Sequence, residues 1–346
     1  MSNPPAPLAI SVGDPAGIGP ELIARCWAER SARGLPPFCV IGGAEVLRAA
    51  APDVSVREAG SLAEAADVFA TALPVLPLDT PSATYTPSQP SEAGASLALA
   101  SLEEAVRLTK QGTASGLVTG PISKAELARV GFGHPGQTEF VAARCGIAAR
   151  DAVMMLAGPS LRTVPLTVHC ALAEVPRLLS LDLLLHRIRI TARALQTDFG
   201  IATPRIAVAG LNPHAGEGGR FGQEEARIIT PAIAALQAEG LNITGPHPAD
   251  ALFTARARAR YDLAVCMYHD QALIPLKALD FDEGVNVTLG LPVVRTSPDH
   301  GTAFDIAGRG MADPGAMAAA IRMAGECAVR RAALEPIRSH KDTKMS

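Results

Sequence analysis

The stretch Val265–Arg295, VCMYHDQALIPLKALDFDEGVNVTLGLPVVR, constrains this chain more than any other. It is entered through a short apolar run, Leu263–Met267, which reads as a buried strand. The run ends on Tyr268-His269-Asp270-Gln271, so the strand delivers polar side chains to its carboxyl end. In open α/β sheets that edge is where ligands bind. Lys277, Asn286 and Arg295 follow in the same stretch. A point cation, an amide and a guanidinium fork suit an anionic polar substrate.

Two earlier segments share this build. The mostly apolar Leu161–Val168 ends on His169, and the run Ile206–Gly210 leads into a glycine-rich loop that holds His214. Three apolar strands, each ending near a histidine, predict a tri-histidine site at one sheet edge. Three nitrogen ligands with an open fourth position is a metal arrangement used in catalysis. A lone histidine after a strand is ordinarily a hydrogen-bonded turn residue. No HxH or HExxH pair separates the two readings.

With 346 residues, the chain is long for one domain and predicts two. It is rich in Ala, Leu and Val and only 4% aromatic, which predicts helices packed on an aliphatic sheet. A formal net charge of -3 gives no reason to expect nucleic acid as a partner. The six cysteines are scattered without a CxxC pair and read as reduced residues of a cytoplasmic protein. The N-terminus has no basic, then long apolar, leader pattern, and no run approaches 18 apolar residues, so no membrane span is expected.

Taken in order, short apolar runs alternate with helical stretches, which predicts α/β architecture with a mostly parallel sheet. Leu8–Val12 reads as a strand that runs into Gly13-Asp14-Pro15-Ala16-Gly17-Ile18-Gly19, a turn that could hold an anion. Its spacing is not the Rossmann fingerprint. Gly116–Thr119 is a strand followed by Gly120-Pro121-Ile122-Ser123-Lys124. Ser123 caps the next helix on this reading, and Lys124 is either an anion grip or a solvated lysine. Gln137 and Thr138 open a further helix, where backbone amides favour an anion. Gly158-Pro159-Ser160 reads as a hairpin-like return. Asp250 and Asp270 are candidate acids beside the histidines, and each is otherwise an ordinary cap or turn residue. Lys341–Ser346 is expected to be disordered.

Eight segments together resemble the 4-hydroxythreonine-4-phosphate dehydrogenase family of pyridoxal phosphate biosynthesis: GDPAGIGPE, VTGPISK, GQTEF, LTVHCAL, LNPHAGEGG, GPHPAD, YHDQALIPLK and GVNVTLGLPVVRTSPDHGTAFDIAG. They run in order from residue 13 to residue 308. The resemblance implies an isocitrate-dehydrogenase-like, non-Rossmann fold of two α/β/α domains flanking a cleft. It places residues 1–135 with 300–346 in the first domain and 136–299 in the second. It also implies a homodimer whose active site uses both subunits.

By the same likeness, His169, His214 and His269 would bind one divalent metal (Zn, Mg, Mn or Co). Gln137, Thr138, Lys277, Asn286 and Arg295 would hold the substrate. Lys277, Asp250 and Asp270 are candidates for catalytic roles. The implied reaction is NAD- or NADP-dependent oxidation of a secondary alcohol on a phosphorylated amino acid, followed by loss of CO2. The family pattern has His where this chain has Gln137. Glutamine can hydrogen-bond but carries neither charge nor a titratable proton. That substitution keeps a related activity on cyclic dihydrodiols of aromatic acids open. A tri-histidine hydrolase and a phosphate-transferring acyl enzyme are the competing readings from other classes.

Overall fold

The computed structural model describes residues 5–80 and 82–342. The tail 343–346 lies outside them, and with it most of the stretch expected to be disordered. In chain order the described strands are β1 Leu8–Ser11, β2 Phe38–Ile41, β3 Val56–Glu58, β4 Leu73–Leu76, β5 Leu117–Thr119, β6 Val153–Ala157, β7 Arg162–Pro165, β8 Ile206–Ala209, β9 Ile243–His247, β10 Leu263–Cys266, β11 Val285–Leu289 and β12 Arg295–Pro298. Helices alternate with them, and the α/β class read from the sequence is what the chain adopts.

Two compact units divide the chain: Met1–Ala149 with Leu291–Ser346, and Arg150–Gly290. Residues 136–149 and 291–299, which the sequence reading groups with the second domain, lie in the first unit. The cause is strand pairing, since β12 adds to β5 in parallel with Arg295 opposite Leu117. Gln137, Thr138 and Arg295 therefore belong to the first unit.

The first unit orders its strands β3-β4-β2-β1-β5-β12, all parallel. β1, β2 and β5 are buried at every residue, as a sheet covered on both faces requires. The helices Glu92–Lys110 and Gly315–Asp342 pack on this sheet. The first is capped by Ser91, whose hydroxyl accepts from the Gly94 amide. The second is tied to β12 by the Thr296 hydroxyl, which donates to the Ala320 carbonyl at 2.9 Å.

The Gly13–Gly19 turn is buried throughout. A Cβ on Gly13 would stand 2.5 Å from the Pro121 carbonyl, and one on Gly17 would stand 2.7 Å from the Thr302 carbonyl. These glycines let three backbone segments touch.

The second unit orders its strands β11-β6-β7-β10-β8-β9. β6 pairs antiparallel with both β11 and β7, and the other pairings are parallel. The Gly158-Pro159-Ser160 return is too short for a crossover, so β7 must come back antiparallel. The apolar cluster on one face joins Leu156, Ala207, Ala264 and Cys266 to Ala272, Leu273 and Leu276 of the helix His269–Asp280. Among the described residues, no helix is long and apolar enough to cross a membrane.

Candidate active site

The first unit gathers two of the sequence-predicted residues, Gln137 and Thr138, around the guanidinium of a third, Arg295. Arg295 begins β12 and is 3% exposed. Its Nη2 donates to Thr119 Oγ1 at 2.7 Å and to Gln137 Oε1 at 3.0 Å. Its Nη1 donates to Thr138 Oγ1 at 3.4 Å. Gln137 uses its other end as well, donating from Nε2 to the Gly120 carbonyl at 3.0 Å. Burial pushes the Arg295 guanidinium down to about 10, with the Glu139 carboxylate pulling the other way. A desolvated cation held by neutral oxygens attracts an anion more strongly than a solvated one. Lys124 opens the helix Lys124–Arg129, is exposed, and its Nζ lies near the backbone of Gly136.

In the second unit the strand ends are shorter than the sequence suggests. β10 stops at Cys266, and His269 is the first residue of the helix His269–Asp280, not the last of a strand. The polar residues Tyr268–Gln271 favour a helix start over further ladder pairing. His169 follows β7 by four positions with φ 45°, and His214 has φ 52° within a run of positive φ reaching Gly219. Left-handed backbone at non-glycine residues carries strain of the kind that collects at functional sites.

His169 and His269 face each other with ring centroids 5.8 Å apart. His269 Nδ1 lies 2.7 Å from Asp270 Oδ1, which leaves Nε2 for a ligand when Nδ1 carries the proton. His214 instead stands 6.1 Å from the Phe221 ring. Among the described residues, no three His, Cys, Asp or Glu side chains come together as a metal-holding group. The facing pair fits two ligand positions of a divalent ion, and His214 does not join it within one chain.

Lys277 lies two turns along the helix that His269 opens and is half-buried. Asn286 is directly opposite Leu156 in the β6–β11 pair. Opposite residues share a face, so Asn286 faces the side on which Leu156 meets Leu273 and Leu276. Its Oδ1 is buried and has no hydrogen-bond partner. A buried acceptor left open is costly, and it suits a donor group on a ligand. Asp250 is exposed in the first turn of Ala249–Leu252.

Sequence reasoning misses three residues that hold these elements in place. Thr119 is fully buried beneath Arg295. Gln271 accepts from the Met267 amide at 2.7 Å and donates to the Gly210 carbonyl at 2.8 Å, which ties the His269 helix to the end of β8. Glu225, also buried, accepts from the amides of Leu211 and Asn212 and so anchors the approach to His214. Only Gln271 carries a sequence signal, as the last member of the polar cluster.

The sequence profile described as "Pyridoxal phosphate biosynthetic protein PdxA" matches residues 35–324. The chain belongs to the PdxA family. A 4-hydroxythreonine-4-phosphate dehydrogenase of Erythrobacter litoralis is 63% identical over 337 residues, covering 96% of this chain and 99% of the relative. Its counterpart from Zymomonas mobilis is 56% identical, covering 94% and 97%. The crystal structure of the Klebsiella pneumoniae 4-hydroxythreonine-4-phosphate dehydrogenase superposes with a TM-score of 0.83 at 38% identity, covering 94% and 99%. A terephthalate 1,2-cis-dihydrodiol dehydrogenase from Burkholderia xenovorans aligns at 31% identity with a TM-score of 0.65, covering 93% and 98%. As a PdxA-family member the chain is a dehydrogenase, an oxidoreductase acting on a CH–OH donor.

Proposed function

We propose that this PdxA-family enzyme oxidises 4-(phosphooxy)-L-threonine, with NAD or NADP and one divalent metal, to 2-amino-3-oxo-4-(phosphooxy)butanoate. That product loses CO2 to give 3-amino-2-oxopropyl phosphate, on the route to pyridoxine 5'-phosphate. The observation that carries the reading is the buried Arg295 guanidinium, oriented by Thr119, Gln137 and Thr138. It matches an anionic group of a phosphorylated amino acid, and the names of the relatives agree.

When bound, a divalent ion supplies Lewis acidity toward the substrate hydroxyl and a nicotinamide supplies the hydride acceptor. His169 and His269 would hold the ion, with Asp270 fixing the His269 ring. His214 is the third ligand on this reading. Asn286 would receive a substrate donor on its open oxygen. Lys277 would counter negative charge as the hydroxyl loses its proton. Asp250 and Asp270 are the carboxylates on hand for proton transfer.

The homodimer belongs to the same proposal. Leu172, Leu178 and Leu181 follow His169, and Ile274, Leu279 and Phe281 lie on or just beyond the His269 helix; all are exposed large apolar residues. Such a surface suits a second copy, which would bring the third ligand to the histidine pair. The proposal also places the enzyme in the cytoplasm, as expected from its substrates.

One observation keeps a second substrate class in view. By the family likeness Gln137 stands where a residue that can carry a proton is expected, and the dihydrodiol dehydrogenase aligns over 93% of the chain. The test is a substrate panel with and without chelator, following nicotinamide reduction. Metal-dependent reduction with the phosphorylated amino acid supports the proposal. Turnover of a cyclic dihydrodiol alone replaces it, and metal-dependent hydrolysis without nicotinamide overturns both.

A further inference from the structure

We infer that Thr119 is a positioning residue that acts through Arg295 without touching the substrate itself, and that Gln137 shares in the same clamp. The inference deepens the proposed substrate reading and rests on it for its kinetic test alone. Arg295 Nη2 donates to both residues, at 2.7 Å to Thr119 Oγ1 and at 3.0 Å to Gln137 Oε1. Thr119 is fully buried in β5, one residue before Gly120. Gln137 is anchored at its other end, because its Nε2 donates to the Gly120 carbonyl at 3.0 Å. One edge of the guanidinium is thus clamped by two oxygens that both trace back to the end of β5. The clamp directs the rest of the fork.

A glutamine does this in a particular way. It presents an acceptor and a donor at fixed ends and never gains a charge. A neutral imidazole can offer the same pair from its two nitrogens, but an imidazolium has only donors and cannot accept from Arg295. The charged groups around position 137 are Arg295 from β12, Glu139 on the same helix, and Lys124 near the Gly136 backbone. The nearest is the guanidinium, which opposes a second positive charge. Gln137 therefore makes the Arg295 clamp independent of pH.

The experiment uses four full-length variants. Thr119→Val keeps the shape and removes the accepting oxygen, and Thr119→Ser restores it. KM for the phosphorylated amino acid is expected to rise roughly tenfold in Thr119→Val, with kcat and the nicotinamide KM little changed; a bond of about 1.4 kcal/mol corresponds to that factor. Thr119→Ser is expected to recover most of it. Gln137→Leu is expected to act like Thr119→Val. Gln137→His is expected to match the wild type at about pH 8 and to lose affinity progressively as pH falls below the ordinary imidazole value near 6.5 and the introduced ring gains a proton.

A second readout needs no substrate. Beside Arg295 the introduced imidazole is held below its ordinary value, so the unfolded chain binds the proton more readily. Tm of Gln137→His should then fall relative to wild type as pH drops through about 6.5. A wild-type KM in Thr119→Val, a Thr119→Ser variant as impaired as Thr119→Val, or a pH-independent Tm difference in Gln137→His overturns the inference. If Thr119→Val does not fold, the Gln137 pair decides. If the wild type does not turn over the phosphorylated amino acid, the substrate reading fails while the Tm comparison still decides the clamp.

Discussion

At Arg295 a single side chain combines burial, a strand-end position and two polar partners at one nitrogen. Lysine there would keep the charge and lose the fork. Arg295→Lys should therefore raise KM for the phosphorylated substrate roughly tenfold, the loss of about 1.4 kcal/mol, and leave the nicotinamide KM nearly unchanged. Lys277→Ala should act mainly on kcat, because its charge meets the developing alkoxide. Steady-state kinetics in both substrates separates the two, and wild-type kinetics in both variants would remove the phosphorylated amino acid as substrate.

A different residue makes stability depend on pH. Glu21 is buried with Oε1 unpartnered, and burial raises its pKa above the ordinary 4.5 against the pull of the Gly308 and Gly310 amides. Between the two pKa values the folded chain binds more protons than the unfolded one, so stability falls as pH rises from about 4.5. Glu21→Gln removes that loss. Its Tm should gain on the wild type between about pH 4 and about pH 7, whereas an equal Tm difference at both ends would contradict the account.

At the scale of elements, the ends of β1 and β5 are joined backbone to backbone. Gly120 donates to the Ser11 carbonyl at 3.0 Å, and a Cβ on Gly120 would stand 2.6 Å from that oxygen. Gly120→Ala should cost about 1–3 kcal/mol by overpacking, read as a lower denaturation midpoint. Because the Gly120 carbonyl also receives Gln137 Nε2, the same change should raise KM for the phosphorylated substrate. An unaltered midpoint would show that the strand ends can part without cost.

The helix His269–Asp280 works on the same principle of shared backbone. Gln271 ties its start to the ends of β10 and β8, so the helix turn that carries His269 is anchored to two strands at once.

For the whole molecule, the proposal requires three histidines to meet at one ion. His169 and His269 face each other in a single chain, and His214 does not complete the set. His169→Ala, His214→Ala and His269→Ala should each lose bound metal and activity while keeping the far-UV spectrum of the wild type. Metal analysis of the purified variants checks this, and full metal content in any one removes that residue from the ligand set. Mixing the inactive His214→Ala and His269→Ala chains should restore part of the activity if two copies share each site. A fully active monomer at working concentration would end the dimer proposal.

The sequence by itself determined the α/β class, because short apolar runs separated by helical stretches bury in few other ways. It also marked His169, His214, His269, Lys277, Asn286 and Arg295 by their place after apolar strands, and the motifs that carry family membership are contiguous in the chain. It did not reveal that β12 returns to pair with β5, which moves Arg295 beside Gln137 and Thr138, residues more than 150 positions away. Nor did it reveal Thr119 or Glu225, whose partners lie far off in sequence or across a loop. Local propensity and periodicity act over a few residues, whereas strand pairing joins distant segments through backbone hydrogen bonds that leave no trace in composition. The clamp on Arg295 is a property of that pairing, and only the tertiary structure decided it.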